Sequence, residues 1–335
     1  MINTGVINTG VVTAGVRARV LGGFEDPGAG EAQWGRLLAA GETDAVFLTR
    51  EWQRLWWEVF GRGELLLVAA ERGGEVVALA PLYADEGMIY FIGSGFESYR
   101  LGIIGEAGEP EVVEALLDAA RRAVSGFAGF ELYFVGEDSA LEAAAERLGL
   151  TCSELWSVPV MTLGLAGQPE AALAVAGKKS LMRPENGLRR EGELRVRHWR
   201  EAGEVLPQLD DFFAQHQERW GGGQFAEGRW REFYRRWAVE AGRRGWLRFT
   251  RVEWGGEAVA YHYGMSYGGS YFWYKPSFAP RHARRSPGEV LLRQLLLAAI
   301  EEESRTFDFG IGEEAFKYRF ADRINRVRTW GLYPK

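Results

Sequence analysis

Two stretches of this chain repeat one another across half its length. Residues 71–83 read ERGGEVVALAPLY and residues 253–265 read EWGGEAVAYHYGM. A Gly-Gly pair between apolar runs marks a two-residue hairpin, because both central positions of such a turn need positive φ. The surroundings repeat as well. In the first half, Thr49 caps a helix, REWQRLWWEVFG, with Trp52, Leu55, Trp56 and Val59 at helical spacing. Then come ELLLVAAE, the hairpin, MIYFIGS, a helix in EPEVVEALLDAARRAVSG, the strand FELYFV, a short helix near 138–148 and a closing strand in ELWSVPVMTL. The second half has helices near 203–219 and 227–243, then WLRFTRVE, EAVAYHYGMSY, SYFWYKPSF, the helix PGEVLLRQLLLAAIEEES, TFDFG and a last strand near VRTWGLY.

That order predicts an α/β fold class with a mixed sheet, present as two tandem units. The expected divisions are a mobile tail over 1–20, which holds a small INTGV repeat, a first domain over 21–166 and a second over 167–335, joined at LGLAGQPEA. The two hairpins end differently. Leu79, Ala80, Pro81 and Leu82 stand where Tyr261, His262, Tyr263 and Gly264 stand in the second copy. Pro81 lacks a ladder donor, which predicts an edge or bulged strand. The aromatics of the second copy either fill a larger core gap or mark that copy as the one with a working cleft.

Composition excludes several classes. A net charge of -6 gives no general nucleic-acid footprint, so DNA is not an expected partner. One cysteine, Cys152, forms no internal disulfide, and four scattered histidines do not make a metal site. No apolar run reaches the ~18 residues that crossing a bilayer needs, and the first residues lack a secretory pattern; the expected location is the cytoplasm. Only five of the 40 basic residues are lysines (Lys178, Lys179, Lys275, Lys317 and Lys335), and lysine supplies a compact point charge that arginine does not.

Residues 284–320, RRSPGEVLLRQLLLAAIEEESRTFDFGIGEEAFKYRF, resemble the closing segment of GNAT-fold acyltransferases of the FemAB-like and CelD-like group. There a basic SPG turn opens a helix, an FDF strand follows, and then a G-[DE]-x-x-[YF]-K stretch. The resemblance includes the helix end HQERW and covers about residues 45–335, most strongly 170–320. It implies two tandem GNAT-like domains, the second one catalytic, and transfer of an acyl or aminoacyl group to an amine. The expected activity is N-acyl transfer from acetyl-CoA or another coenzyme A thioester, with no metal. The expected acceptor is a primary amine of a sugar, a cell-wall or exopolysaccharide precursor, or a small metabolite. Two alternatives stand beside it. An aminoacyl-tRNA donor is disfavoured by the acidic chain but given room by the basic segment 178–197. A non-catalytic accessory role in polysaccharide biosynthesis is the other. The sequence says nothing of oligomeric state.

Candidate site residues follow. Arg284, Arg285, Ser286 and Gly288 open a helix, where orphan amides and guanidiniums suit a coenzyme A pyrophosphate; the alternative is an exposed N-cap turn. Against the GNAT pattern [QR]-x-x-G-x-[GA], Arg285 and Gly288 fit and Val290 does not, and Pro287 removes a donor. Asp308 is a carboxylate in an apolar strand and needs a partner; it either takes a proton from the amine or bonds the loop GIGEE. Lys317 alone reads as a solvated pair with Glu313, whereas the resemblance implies that it faces the reaction centre and stabilises negative charge. Tyr318 beside it either protonates a leaving thiolate or packs. His262 is a general base or a satisfied core group. Trp220, Tyr261, Trp273, Tyr274 and Lys275 form a substrate platform or core. Lys178 and Lys179 belong to a phosphate cradle or to a solvated face, in a segment whose helix Pro184, Asn186 and Gly187 are expected to break.

Overall fold

The computed structural model describes residues 11–13, 15–41, 45–95, 97–136, 140–167, 169–221 and 223–335. They fall into two compact units, residues 1–158 with 326–335, and residues 159–325. The last strand therefore lies with the first unit, whereas the sequence order assigns it to the second.

In the first unit the elements are β1 (Val11–Thr13), β2 (Val16–Val20), α1 (Glu31–Ala40), α2 (Arg50–Phe60), β3 (Glu64–Arg72), β4 (Glu75–Asp85), β5 (Met88–Phe91), β6 (Ile104–Gly105), α3 (Pro110–Ala123), β7 (Gly129–Gly136), α4 (Leu141–Arg147) and β8 (Leu150–Gly164), which runs on into the second unit. The second unit adds α5 (Pro169–Ala176), α6 (Lys179–Glu191), β9 (Leu194–Trp199), α7 (Ala202–Val205), α8 (Leu209–Trp220), α9 (Gly228–Arg243), β10 (Leu247–Trp254), β11 (Glu257–Tyr267), β12 (Ser270–Phe278), α10 (Pro287–Glu301), β13 (Thr306–Ile311), α11 (Ala315–Tyr318) and the start of β14 (Arg323–Pro334). Strand order in the first unit is β1-β2-β3-β4-β5-β7-β14-β8, and in the second β8-β13-β12-β11-β10-β9. Both sheets are mixed, with the parallel pairs β5–β7 and β12–β13.

The tandem reading extends to a detail that the text of the hairpins does not announce. Gly73 and Gly74 have φ of 61° and 88°, Gly255 and Gly256 60° and 85°, as a two-residue turn of two left-handed positions requires. Each hairpin then carries a bulge at the same place. Ala70 pairs Ala78 but Glu71 pairs Val76; Val252 pairs Ala260 but Glu253 pairs Ala258. The extra residue is Val77 in one copy and Val259 in the other.

Three expectations need correction. Residues 16–20, assigned to a mobile tail, are β2 and pair with β3 from Val16↔Arg72 to Val20↔Val68; residues 1–10, with most of the INTGV repeat, lie outside the described residues. Of the two alternatives for the strand of Pro81, the edge does not hold, since β4 has β3 on one side and β5 and β6 on the other, and the bulge does, at Val77 and so away from Pro81 itself. Its carbonyl accepts from Ile92 N–H at 2.9 Å. Its nitrogen faces that same side, where the β4–β5 ladder has already ended at Leu82↔Phe91, so no ladder bond is lost. Finally, α6 runs unbroken through Pro184. Its apolar face, Leu181 and Leu188, is buried with Leu291 and Leu295 of α10, and Glu185 fastens it. Glu185 is 5% exposed. It accepts from Arg189 at 2.8 Å, Arg293 at 2.6 Å and Gln294 at 2.9 Å. Packing outweighs the bond that the proline cannot make.

These donors hold the Glu185 carboxyl below its ordinary range, against the upward push of its burial, which is the largest single influence. A carboxyl with a lowered folded-state pKa stabilises the fold above its unfolded value and loses that contribution as pH falls through the folded value. Glu185→Ala is therefore expected to cost about 1.5–3 kcal/mol at neutral pH. Denaturant melts of the wild type and the variant should converge between pH 4.5 and the acid limit; a constant gap over that range would refute the assignment.

Candidate active site

In the second unit, β12 and β13 run parallel through Ser270↔Thr306, Tyr271↔Phe307 and Phe272↔Asp308, and the pairing then stops. β12 continues to Phe278 along β11. Phe272 O and Tyr274 N both face the β11 side, where they meet the His262 ring. The β11–β12 register shifts between Tyr263 and Met265, so the alternation does not carry through. Beyond the shift Ala279 N–H donates to Val259 O at 3.0 Å, which turns Lys275 and Ser277 toward β11 and the backbone groups of Pro276 and Phe278 toward the gap. Beyond the gap lies a cavity of about 330 Å³, at the small end of the ~300–1,000 Å³ typical of ligand pockets. Its walls come from β12 (Trp273, Pro276, Ser277, Phe278), the first turns of α10 (Gly288, Glu289, Leu291, Leu292), the α11 region (Glu314, Phe316, Arg319, Phe320) and the end of α8 (Arg219, Trp220).

The first unit repeats this splay and fills it. β5 and β7 pair only at Met88↔Gly129 and Ile89↔Phe130. Farther along, Leu101 N–H donates to Phe134 O at 3.0 Å, and Leu101 bridges to Val135 in parallel sense. The inserted segment is fixed from within: Trp52 Nε1 donates to Ser98 Oγ at 2.9 Å, and Tyr99 packs on Phe47 with ring centroids 4.6 Å apart. Ser98, Tyr99 and Leu101 are buried.

Of the residues that the sequence singles out, Trp220, Trp273 and Gly288 line the cavity. A Cβ on Gly288 would stand 3.3 Å from Phe278 Cδ1, so the helix start lies close against the β12 wall. Lys178 touches the rim. Its Nζ donates to Arg319 O at 2.5 Å and stands 5.2 Å from the Phe320 ring centroid. Lys179 is exposed at the start of α6.

The others lie elsewhere. Arg284 and Arg285 end a 3-10 turn over Pro280–Arg285; Arg285 pairs with Glu191 at 2.6 Å and covers the Trp254 ring at 4.7 Å, and neither lines the cavity. Ser286 is the left-handed N-cap of α10, with φ 53° and no side-chain cap bond. Tyr261 is a core residue, 1% exposed and packed on Phe212 and Phe249. Tyr274 OH lies 3.0 Å from Tyr234 OH, and Lys275 Nζ donates to Gln224 Oε1 at 3.0 Å, so this pair joins a polar network instead of the cavity. Tyr318 is half exposed outside the lining.

His262 is fully buried. Its ring stacks near Tyr271 and Trp273 at 17° and 20° and occupies the space left by Gly264, whose Cβ would overlap it. Nε2 lies 3.0 Å from Phe272 O and 3.2 Å from Tyr274 N, so either tautomer finds a partner. Burial pushes the imidazole down to about 3, which keeps it neutral. Its Nδ1 is buried without a hydrogen-bond partner among the described residues, so this is a core histidine satisfied at one nitrogen only, and it is absent from the cavity lining.

Asp308 is also fully buried. Its Oδ1 accepts from Gly310 N–H at 2.7 Å, which is the loop-bonding alternative, and it is absent from the lining. Lys317 is not a solvated partner of Glu313. It is 2% exposed; its Nζ donates to Ile311 O at 2.5 Å and pairs with Glu314 at 2.8 Å. Burial lowers its pKa, while Glu314 and Asp308 act to raise it. Asp308 and Lys317 thus clamp the turn that leads β13 away from β12. Cys152 in the first unit has its thiol pushed up to about 11 by burial, which disfavours the thiolate that an acyl carrier needs. Among the described residues no group of three or more His, Cys, Asp or Glu is placed to hold a metal, and no helix is long and apolar enough to cross a membrane.

Sequence reasoning missed Arg219. A basic residue in the last turn of a helix reads as a partner of the helix dipole. Its place in the cavity depends on Phe278, which is distant in the chain. Phe316 and Phe320, on either side of Lys317, also line the cavity.

A family model described as an acetyltransferase (GNAT) domain matches residues 176–318. No curated protein sequence matches the chain. Among solved structures, FemX superposes over 91% of this chain and 96% of its own, at 11% identity and a TM-score of 0.65. The C-terminal domain of a putative lysylphosphatidylglycerol synthetase from Agrobacterium fabrum covers 83% of this chain and 87% of its own, at 14% identity and a TM-score of 0.55. A tandem GNAT protein from the clavulanic acid biosynthesis pathway covers 94% of this chain and 98% of its own, at 12% identity and a TM-score of 0.52. Residues 176–318 are therefore a GNAT acetyltransferase domain, and the chain is an acyltransferase built on the mixed α/β sheet of the GNAT fold.

Proposed function

We propose that the second unit is an N-acyltransferase of the FemAB-like and CelD-like kind, which moves an acyl group from a coenzyme A thioester to a primary amine. The observation that carries this reading is the contrast between the splays: the β12–β13 gap opens on a cavity, and its counterpart in the first unit is filled by Leu101. An extended pantetheine-like arm has amides that pair with the carbonyl of Pro276 and the backbone of Phe278, in the place that a further strand would take. The thioester then lies against the apolar wall of Trp273 and Phe316, where water is scarce and dipoles act strongly. The amine attacks the carbonyl carbon and a C–N bond forms. The C–S bond breaks, the thiolate leaves, and the proton lost by the amine compensates its charge. With His262 and Asp308 buried away from the cavity, we assign the relay of that proton, from the amine to the departing thiolate, to Glu289, a lining carboxylate on the first turn of α10.

If the donor is a coenzyme A thioester, acetyl-CoA at a hundred times its Kd should stabilise the protein by about 2.7 kcal/mol. Gly288→Val, which crowds Phe278, should abolish that shift without unfolding the free protein. No shift with acetyl-, succinyl- or longer acyl-CoA, together with RNase-sensitive transfer, would put an aminoacyl-tRNA in the donor's place. Glu289→Gln should lower kcat by about 10²-fold while donor binding persists. Because the His262 ring is neutral down to about pH 3, His262→Phe should leave any kcat limb between pH 5 and 8 in place. Loss of that limb in the His262 variant, with Glu289→Gln fully active, would reverse the assignment.

A further inference from the structure

The cavity contains a guanidinium held in an unusual setting. Arg219 ends α8, and its guanidinium carbon lies 4.6 Å from the Trp220 ring centroid and 4.4 Å from that of Phe278. Two aromatic rings cover the cation, which leaves its in-plane N–H edge as the surface for recognition. Arg219 Nε is buried and has no hydrogen-bond partner among the described residues. The adjacent acid, Glu218, is engaged by Arg281 at 3.5 Å. Burying a guanidinium N–H without an acceptor is unfavourable, and stacking between rings does not satisfy it. What satisfies it is a planar anion meeting the fork edge-on, and a carboxylate matches that geometry with two parallel bonds.

We propose that Arg219 binds the carboxylate of the acceptor, so that the acceptor is an amino-acid-like primary amine with an apolar body and not a neutral amino sugar. This rests on the acyl-transfer reading of the same cavity and adds the substrate class. The apolar body lies against Trp220 and Phe278, and the carboxylate meets the Arg219 edge. That leaves the amine free toward the β12–β13 gap. The cation belongs to the acceptor because it comes from the end of α8, whereas the helix start with Gly288 and Glu289 is a separate wall that meets Phe278 from another element.

The test is direct binding, without any thioester, of L-phenylalanine, L-phenylalaninamide and phenyl phosphate to the full chain by calorimetry. It is repeated with Arg219→Gln and Arg219→Lys, whose melting temperatures are read alongside. The wild type should bind L-phenylalanine at least about tenfold more tightly than the amide. Arg219→Gln should erase that ratio, and Arg219→Lys, which keeps the charge without the fork, should restore only part of it. Equal binding of acid and amide by the wild type, or a ratio that survives Arg219→Gln in a folded variant, overturns the proposal. Tighter binding of phenyl phosphate that depends on Arg219 also overturns it, by assigning the cation to a phosphate. Failure here with acetyl-CoA binding intact removes only the substrate class. Loss of acetyl-CoA binding with the carboxylate preference intact removes the donor reading instead.

Discussion

The second unit depends on where one ladder ends. β12 and β13 share three pairs, and after Phe272↔Asp308 nothing joins them. A parallel pair left open in this way exposes backbone groups that a folded protein normally satisfies, so something must hold the strands apart. Asp308 does so by turning its carboxylate back onto Gly310 N–H, and Gly310 and Gly312 take φ of 74° and 117°. Lys317 completes the turn by donating to Ile311 O. A Cβ at Gly312 would approach the same ammonium to 3.3 Å. Asp308 and Lys317, which the sequence marks as candidate reagents, are thus the brace of the cleft.

On the β12 side a different device serves the same end. The β11–β12 register shifts between Tyr263 and Met265, and the buried His262 ring fills the space beside Gly264 and meets Phe272 O and Tyr274 N. Phe272 O and Tyr274 N, next to the splay, are thereby satisfied from the β11 side. The first unit has Leu79-Ala80-Pro81-Leu82 at this place and closes its own splay with residues 98–101. One architecture thus gives a sealed copy and an open one, and the seal of the first is the segment that carries Ser98 and Leu101.

Much of this was legible in the sequence, and the parts that were not share a cause. The hairpins, helices α2, α3, α9 and α10, and the tandem order follow from periodicity, Gly-Gly turns and caps, which are local signals. α6 was misread because Pro184 is a local signal too, and Leu181, Leu188 and Glu185 override it through contacts with α10. Among the residues that line the cavity, Gly288 and Trp220 sit in motifs that the sequence singles out. Arg219 gains its meaning only from Phe278, 59 positions along the chain, and no spacing rule joins them. His262 and Tyr261 were drawn toward function by residue type, although their burial gives them a packing role.

The central claim is that the open splay of the second unit, and not the sealed one of the first, receives the acyl donor. Hydrogen–deuterium exchange with and without saturating acetyl-CoA tests it most directly. The account predicts new protection at Phe278 on β12 and over the first turns of α10, with exchange across residues 97–101 and β7 unchanged. Protection confined to residues 97–101 and β7, with β12 and α10 unaffected, would contradict it.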